Sequence, residues 1–129
     1  MRDAIRLILR TPLMDLNAYI RLERSPKRGY LAANKVKQEL TDAVRMEAWS
    51  QCAGRGFETR CHFAFAWYVK NRRRDPDNIC FARKFIMDGL VAAEVIPNDT
   101  WQYVSGFQDS FEIDGQDPRV EIIITPEQT

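Results

Sequence analysis

The sequence predicts a single α+β domain with one mixed β-sheet of about four strands and two main helices. A length of 129 residues is enough for one hydrophobic core. Predicted strands and helices follow the order β-α-β-α-β-β, which is typical of this class. No internal repeat, low-complexity tract or linker divides the chain. Residues 1–129 are therefore expected to form one domain.

The first half of the chain predicts a strand, a loop and a long helix. Ala4 to Leu9 alternates apolar and other residues, which is typical of a strand with one buried face. Residues 11–30 are polar and lack a clear period, so we expect an irregular and functional or mobile segment. Leu31 to Cys52 has apolar residues at helical spacing, and Gly54 follows at the expected helix end.

The second half predicts one more helix and three strands. Thr59 to Val69 alternates as a strand, and Pro76 to Glu94 carries an apolar stripe at helical spacing. Pro97 to Asp99 is typical of a turn. Trp101 to Ile113 and Val120 to Thr125 then complete the sheet.

Charge is distributed very unevenly, although the net charge is only +1. Residues 1–84 hold 18 Lys and Arg against 9 Asp and Glu, a balance of +9, whereas residues 85–129 hold 1 against 9, a balance of −8. A half this basic is suited to a polyanion such as nucleic acid. The alternative is two ordinary solvated surfaces that attract each other in the fold.

Several protein classes are disfavoured by the composition. No run of about 18 apolar residues is present, so no membrane span or membrane partner is expected. Charged residues interrupt Met1 to Arg10, which disfavours a signal peptide and favours a cytoplasmic location. Cys52, Cys61 and Cys80 are odd in number and widely spaced, which predicts buried free thiols rather than a disulfide framework or a zinc site.

The segment Arg72-Arg73-Arg74-Asp75-Pro76-Asp77-Asn78 carries the candidate chemistry. Pro76 favours an extended Asp75, and residues two apart in extended chain point to the same side. Asp75 and Asp77 are therefore able to converge on a hard cation such as Mg²⁺. A phosphate backbone between these carboxylates and the arginines would satisfy both. The alternative is that Asp75 caps a helix, Pro76 begins it and Asp77 complements its dipole.

Three further residues downstream have ordinary explanations when taken singly. Lys84 and Asp88 are four residues apart, so they are able to form an exposed ion pair on one helix face. Asp99 follows Pro97 in a turn, where aspartate is common.

Taken together, these residues resemble the RusA-type Holliday junction resolvases. The family pattern is Asp-x-Asp-Asn, then a Lys, then Asp-x-Leu, then an acidic pair. The matching residues are Asp75-Pro76-Asp77-Asn78, Lys84, Asp88-Gly89-Leu90 and Asn98-Asp99. The resemblance covers residues 60–125 well and the first half of the chain loosely.

The resemblance implies a RusA-like fold and a metal-dependent endodeoxyribonuclease. Asp75, Asp77 and Asp99 would hold Mg²⁺, for which Mn²⁺ is expected to substitute, and Lys84 would assist beside the scissile phosphate. Asn78 and Asp88 would support these groups from behind. The family acts as a homodimer on four-way DNA junctions, with one active site per subunit, and paired nicks require such symmetry.

Basic residues are expected to contact the DNA backbone on both sides of this site. Such contacts give affinity and salt dependence with little sequence preference. The expected DNA-binding residues are Arg72, Arg73 and Arg74 beside the motif, and Arg21, Arg24, Lys27, Arg28, Lys35 and Lys37 in the first half.

Two positions depart from the family pattern. Phe81 stands where better-known members have the lysine, and using Lys84 instead requires a three-residue insertion, an axial shift of about 4.5 Å on a helix. Arg83 is the nearest substitute. Asn98 replaces the first acidic residue of the pair. A branched-DNA-binding module without cleavage, a nuclease of broader flap or fork range, and a purely structural domain are the competing interpretations.

Overall fold

A computed structural model describes residues 3–26 and 28–127. In this part of the chain, three helices have eight residues or more and a fourth has five. The elements are β1 (Ile5–Leu9), α1 (Leu16–Glu23), α2 (Gly29–Cys52), β2 (Cys61–Val69), α3 (Pro76–Cys80), α4 (Arg83–Ala92), β3 (Val104–Ile113) and β4 (Arg119–Pro126). The predicted α+β class with a four-stranded mixed sheet is confirmed.

The sheet has the strand order β1-β4-β2-β3. β4 pairs antiparallel with both β1 and β2, whereas β2 and β3 are parallel. Cys61 pairs with Val104 and Val69 with Ile113, so both parallel strands start at one end of the sheet. α3 and α4 connect them by returning along the sheet, as a parallel connection requires. The end of β2 and the start of β3 therefore lie at opposite ends.

The core lies between the sheet and the two long helices. Every second residue of β2 is buried, from Cys61 to Val69, which follows from the two-residue period of a strand. α2 and α4 pack on each other where Gly89 approaches Val44. A Cβ at Gly89 would lie 2.4 Å from Val44 Cγ1, so a side chain here would force the helices apart. The two helices thus fix the position of α3 and of the residues that precede it.

The prediction that residues 11–30 are irregular is wrong for Leu16–Glu23, which form α1. Asp15 caps this helix by accepting from the Ala18 amide at 2.8 Å. Tyr19 packs against the rings of Phe81 and Phe85 at 5.5 and 6.0 Å between centroids. An isolated helix of this length is marginal in water, so tertiary packing decides its formation. That packing is not visible in the local sequence.

The predicted continuous helix from Pro76 to Glu94 is interrupted after Cys80 and ends at Ala92. Around the interruption the backbone bonds are i to i−3: Ala82 to Ile79, Lys84 to Phe81 and Phe85 to Ala82, each at 3.1 Å. This tighter turn is of the 3₁₀ kind. The sequence contains no Pro or Gly at this point, so nothing local predicted it.

Cys52 and Cys61 are buried, as predicted, whereas Cys80 is half-buried, and none of the three forms a disulfide within the described residues. Burial raises the pKa of the Cys52 thiol, because the thiolate would lose its hydration.

Across the described residues, every helix is too short or too polar to cross a membrane.

Candidate metal and nucleic-acid site

The motif Asp75–Asn78 lies just beyond the end of β2, where the chain enters α3. Asp75 has φ −75° and ψ 150°, the extended geometry expected before Pro76, which begins the helix. Asp75 occupies the N-cap position, but its side chain makes no capping hydrogen bond. Capping by the Asp75 side chain, the alternative to metal binding, is therefore not realised. Asp77 lies in the first helical turn.

The three predicted metal ligands, Asp75, Asp77 and Asp99, are all exposed. None of their carboxylates has a hydrogen bond or ion pair with the part of the chain that the structure describes. An exposed carboxylate without a partner keeps all its lone pairs available to a cation or to water. The carboxylate chemistry needed for Mg²⁺ is thus present at both positions of the motif.

Asp99 is far from Asp75 and Asp77 within one protomer. Tyr103, just after the Asp99 turn, accepts a hydrogen bond from the Cys61 amide at the start of β2, whereas the motif follows the end of β2. A nine-residue strand spans about 26 Å. Among residues 3–26 and 28–127, no group of three His, Cys, Asp or Glu side chains is close enough to hold a metal ion.

Asn78 connects the motif to α1 rather than pointing freely to solvent. Its side-chain oxygen accepts from the Asn17 amide at 2.9 Å. Asp15, the cap of α1, also receives the Arg74 guanidinium at 3.5 Å. Both contacts fasten the start of α1 to the motif. The supporting role predicted for Asn78 stays a prediction, and the contact that the structure shows is with the backbone of α1.

The Lys84 ammonium is paired with Asp88 at 3.3 Å, as the i,i+4 spacing predicted. Lys37 of α2 reaches the other oxygen of Asp88 at 3.9 Å. About half of the Lys84 side chain remains exposed (53%), so this pair is weak and able to open. Asp88 therefore holds two of the predicted cations, Lys37 and Lys84.

Arg83, the substitute considered for the family lysine, is engaged elsewhere. Its guanidinium donates to Asp109 on β3 and lies over the Phe107 ring, 4.5 Å from the centroid. Asp109 also accepts from the Trp67 indole at 2.8 Å. Phe81, at the family lysine position, packs against Tyr19 and Phe85. Of these positions, Lys84 is the one with an accessible cation.

The predicted DNA-binding residues beside the motif are exposed. Arg72 and Arg73 make no ion pair with the described residues, and the same holds for Lys70, which the sequence did not single out. We refer to residues 70–74 as the basic run. No arginine of this run pairs with Asp75 or Asp77, because the Arg74 contact is with Asp15. Cations and carboxylates are thus adjacent in the chain and mutually unpaired.

The remaining basic residues lie on α1, after it, and on α2. Arg21 lies on α1 and is exposed. Arg24 and Arg28 are exposed near the end of α1, and Arg28 has a positive φ of 53° before α2. Lys35 is exposed and loosely paired with Glu39. Lys27 lies outside the described residues.

A second set of charges near the end of β2 is fully paired. We call it the Arg119 network; its members are Arg6, Arg10, Asp114, Asp117, Arg119 and Glu121. Arg119 donates to Asp114 at 2.9 Å and to Glu121 at 2.8 Å. These hydrogen bonds hold the pKa of the Asp114 carboxyl below its usual value, and bonds from Arg6 and Arg119 lower the pKa of Glu121.

Neither a scan against protein-family models nor a search of curated protein sequences found a match for this chain.

Proposed function

We propose that this protein is a Mg²⁺-dependent endodeoxyribonuclease that resolves four-way DNA junctions by paired symmetric nicks, in recombination and repair. One observation carries the proposal: Asp75 and Asp77 are exposed and unpaired, directly after the exposed basic run, in which Lys70, Arg72 and Arg73 make no ion pair with the described residues. Unpaired carboxylates and unpaired cations at one place suit the joint binding of a divalent cation and the phosphates of a nucleic acid.

The residues present fit a hard divalent cation, because carboxylate oxygens free of competing arginines are the ligands that Mg²⁺ prefers. Asp75 and Asp77 would hold Mg²⁺, or Mn²⁺ in its place. When bound, the ion supplies an activated water and charge stabilisation on the phosphate oxygens. Arg72 and Arg73 bind the flanking phosphates and so orient the DNA strand.

The proposal requires a homodimer if Asp99 takes part. Within one protomer Asp99 lies near the start of β2 and the motif follows its end, and this nine-residue strand is about 26 Å long. A two-fold arrangement that brings the Asp99 end of one protomer beside the motif of the other would complete both sites at once. In each site the partner subunit's Asp99 then joins Asp75 and Asp77, and the two sites face opposing strands.

Lys84 is the proposed cation at the scissile phosphate. Phe81 is used for packing and Arg83 is bound to Asp109, so neither is available. Because its pair with Asp88 is exposed, the Lys84 ammonium is able to exchange Asp88 for a phosphate, and Lys37 stays to neutralise Asp88. In that position Lys84 stabilises negative charge that develops on the phosphate.

The test is cleavage of a labelled four-way junction with Mg²⁺, beside a linear duplex of the same sequence. We expect paired nicks in the junction alone, and a loss of about 100-fold or more in the Asp77→Asn and Asp99→Asn variants. Mixing these two inactive variants is the decisive step. If each site takes Asp99 from the partner, a mixed dimer has one complete site and regains nicking of one strand.

Other outcomes would point elsewhere. If mixing restores nothing while both variants still bind junctions, the shared site is wrong. Cleavage of flaps and forks as fast as junctions would favour a nuclease of broader range.

A branched-DNA-binding module without cleavage is the second candidate function. The observation that favours it is Phe81 at the family lysine position, with Lys84 held by Asp88. Tight junction binding with and without Mg²⁺, and no product, would support this candidate.

A further inference from the structure

A cleft of about 460 Å³ opens beside the motif at the end of the sheet. Its floor is apolar and consists of core residues where β1, β2 and β4 meet α3, among them Leu9, Trp67, Val69, Ile79 and Val120. The loop containing Pro12 and Leu13 forms one wall. Clefts of this size and composition commonly hold small, largely apolar ligands with a few polar contacts.

The cations around the cleft differ in how they are used. Arg10 and Arg119 line it, but both are neutralised within the Arg119 network. Lys70 and Arg74 also line it. Within the described part of the chain Lys70 makes no ion pair, and Arg74 has only the 3.5 Å contact with Asp15. The cleft is therefore open to negative charge on the side next to Asp75.

We propose that this cleft binds one unpaired nucleobase of the DNA substrate, with the adjoining phosphate held by Lys70 and Arg74. The inference rests on the proposed function, because it takes DNA to be the ligand. A base has an apolar body attached to an anionic backbone, which matches an apolar floor beside two available cations. Since Arg74 precedes Asp75 directly, a nucleotide held in this way brings a neighbouring phosphodiester toward the motif.

This arrangement selects among DNA substrates. Removing a base from the stack costs least when the base is already unpaired. Base pairs at a branch point lack the continuous stacking of a linear duplex, so taking a base out of the stack costs less there, and a bulged base is already unpaired. The cleft thus favours cleavage beside an unpaired base, through a contact that a regular duplex cannot make without disrupting a base pair.

The test uses a DNA duplex with a single bulged 2-aminopurine and a fully paired duplex with the same base. Binding is followed by the anisotropy of an end label in the absence of divalent ions. Unstacking of the base is followed by 2-aminopurine fluorescence. We expect the fluorescence of the bulged base to rise about threefold on binding, because the base leaves the stack. The paired base should show no comparable rise.

Two variants examine the cleft itself. Leu13→Trp replaces a half-buried residue of the cleft wall with a bulkier one, which should fill the cleft. This variant should abolish the fluorescence rise, while anisotropy still reports DNA binding. Lys70→Ala should reduce the rise and weaken binding to the bulged DNA more than to the duplex. The controls are Ile123→Trp, on the exposed part of β4, and Arg55→Ala, an exposed cation that does not line the cleft.

The outcomes separate this inference from the proposed function. DNA binding with no fluorescence rise, or a rise that persists in Leu13→Trp, would overturn the base site and leave DNA binding intact. Free deoxyadenosine monophosphate is the alternative ligand: it would then raise the melting temperature of the native protein but not that of Leu13→Trp, while bulged DNA gives no fluorescence rise. In that case the cleft binds free nucleotides and the inference fails. Absence of any DNA binding by the folded protein would remove both proposals.

Discussion

The basic run with its motif and the Arg119 network line or adjoin the same cleft, yet they use their charges in opposite ways. In the network, Arg119 is bonded to Asp114 and Glu121, and Arg10 to Asp117. In residues 70–77, the cations and carboxylates are neighbours in the chain, but no two of them pair. Charges that are satisfied internally support the fold, whereas charges left open are available to a ligand.

The largest effect on stability is expected at Arg83 and Asp109, a paired set that is partly buried. Asp109→Ala leaves the Arg83 guanidinium and the Trp67 indole without their acceptor, at a cost of about 3 kcal/mol in the free energy of unfolding. Urea denaturation measures this change. Asp99→Ala is the control, since its carboxylate has no partner in the described residues, and we expect less than about 0.5 kcal/mol.

A double substitution sharpens this first prediction. Arg83→Met with Asp109→Leu removes both charges and should recover most of the lost stability. Equal costs for Asp109→Ala and Asp99→Ala would show that the pairing contributes nothing.

The next largest effect concerns DNA affinity. Arg72→Ala combined with Arg73→Ala removes two open cations, so the slope of log affinity against log salt should fall by about two. Anisotropy titrations of a four-way junction at several salt concentrations measure the slope. Arg10→Ala is the matched control, because its guanidinium is already paired with Asp117. A similar fall of the slope in Arg10→Ala would contradict the prediction, because an arginine paired within the protein would then contribute to DNA binding as much as an unpaired one.

A smaller difference is expected between two aspartates at N-cap positions. Asp15 caps α1 through its side chain, so Asp15→Ala should destabilise the protein by about 1 kcal/mol. Asp75 makes no such bond, and Asp75→Ala should change the free energy of unfolding by less than about 0.5 kcal/mol. Thermal or urea unfolding compares them. If Asp75→Ala costs as much as Asp15→Ala, then Asp75 is a structural cap after all.

The smallest expected effect is on the decrease of the free energy of unfolding at acid pH. In the folded state the pKa values of Asp114, Asp117 and Glu121 lie below their usual values of 3.8, 3.8 and 4.5. Their contribution is therefore present above those usual values and is lost as pH falls through the lowered ones. Arg119→Met should flatten this loss below about pH 4.5, whereas Asp99→Asn should leave it unchanged. Urea unfolding at a series of pH values provides the measurement.

The fold class was predictable because strand and helix periods are local signals. The alternation of β2 and the apolar spacing of α2 identify these two elements directly. α1 was not predictable, since an eight-residue helix depends on Tyr19 meeting the rings of Phe81, just after α3, and Phe85 in α4. The interruption after Cys80 was not predictable either, because no Pro or Gly marks it in the sequence.

The candidate site was predictable only in part. Asp75, Asp77 and the basic run were found because they are consecutive, and the extended geometry of Asp75 follows from Pro76. The separation of Asp99 from them was not visible, because it depends on β2 and β3 being parallel. Lys70 begins the same basic run, but its place in the lining of the cleft was not visible, because it depends on how the strands meet α3. The engagement of Arg83 by Asp109, 26 residues away, also required the three-dimensional fold.

Cys80 gives the protein a native attachment point for chemical probes. Its sulfur lies 3.5 Å from the Asp77 carbonyl oxygen and is partly accessible, whereas Cys52 and Cys61 are buried. Reagents react with accessible thiolates and spare buried thiols. A fluorophore or spin label placed on Cys80 would therefore stand within one helical turn of Asp77 without any substitution. Its signal would follow the arrival of a cation or a DNA strand at the motif in the unmodified sequence.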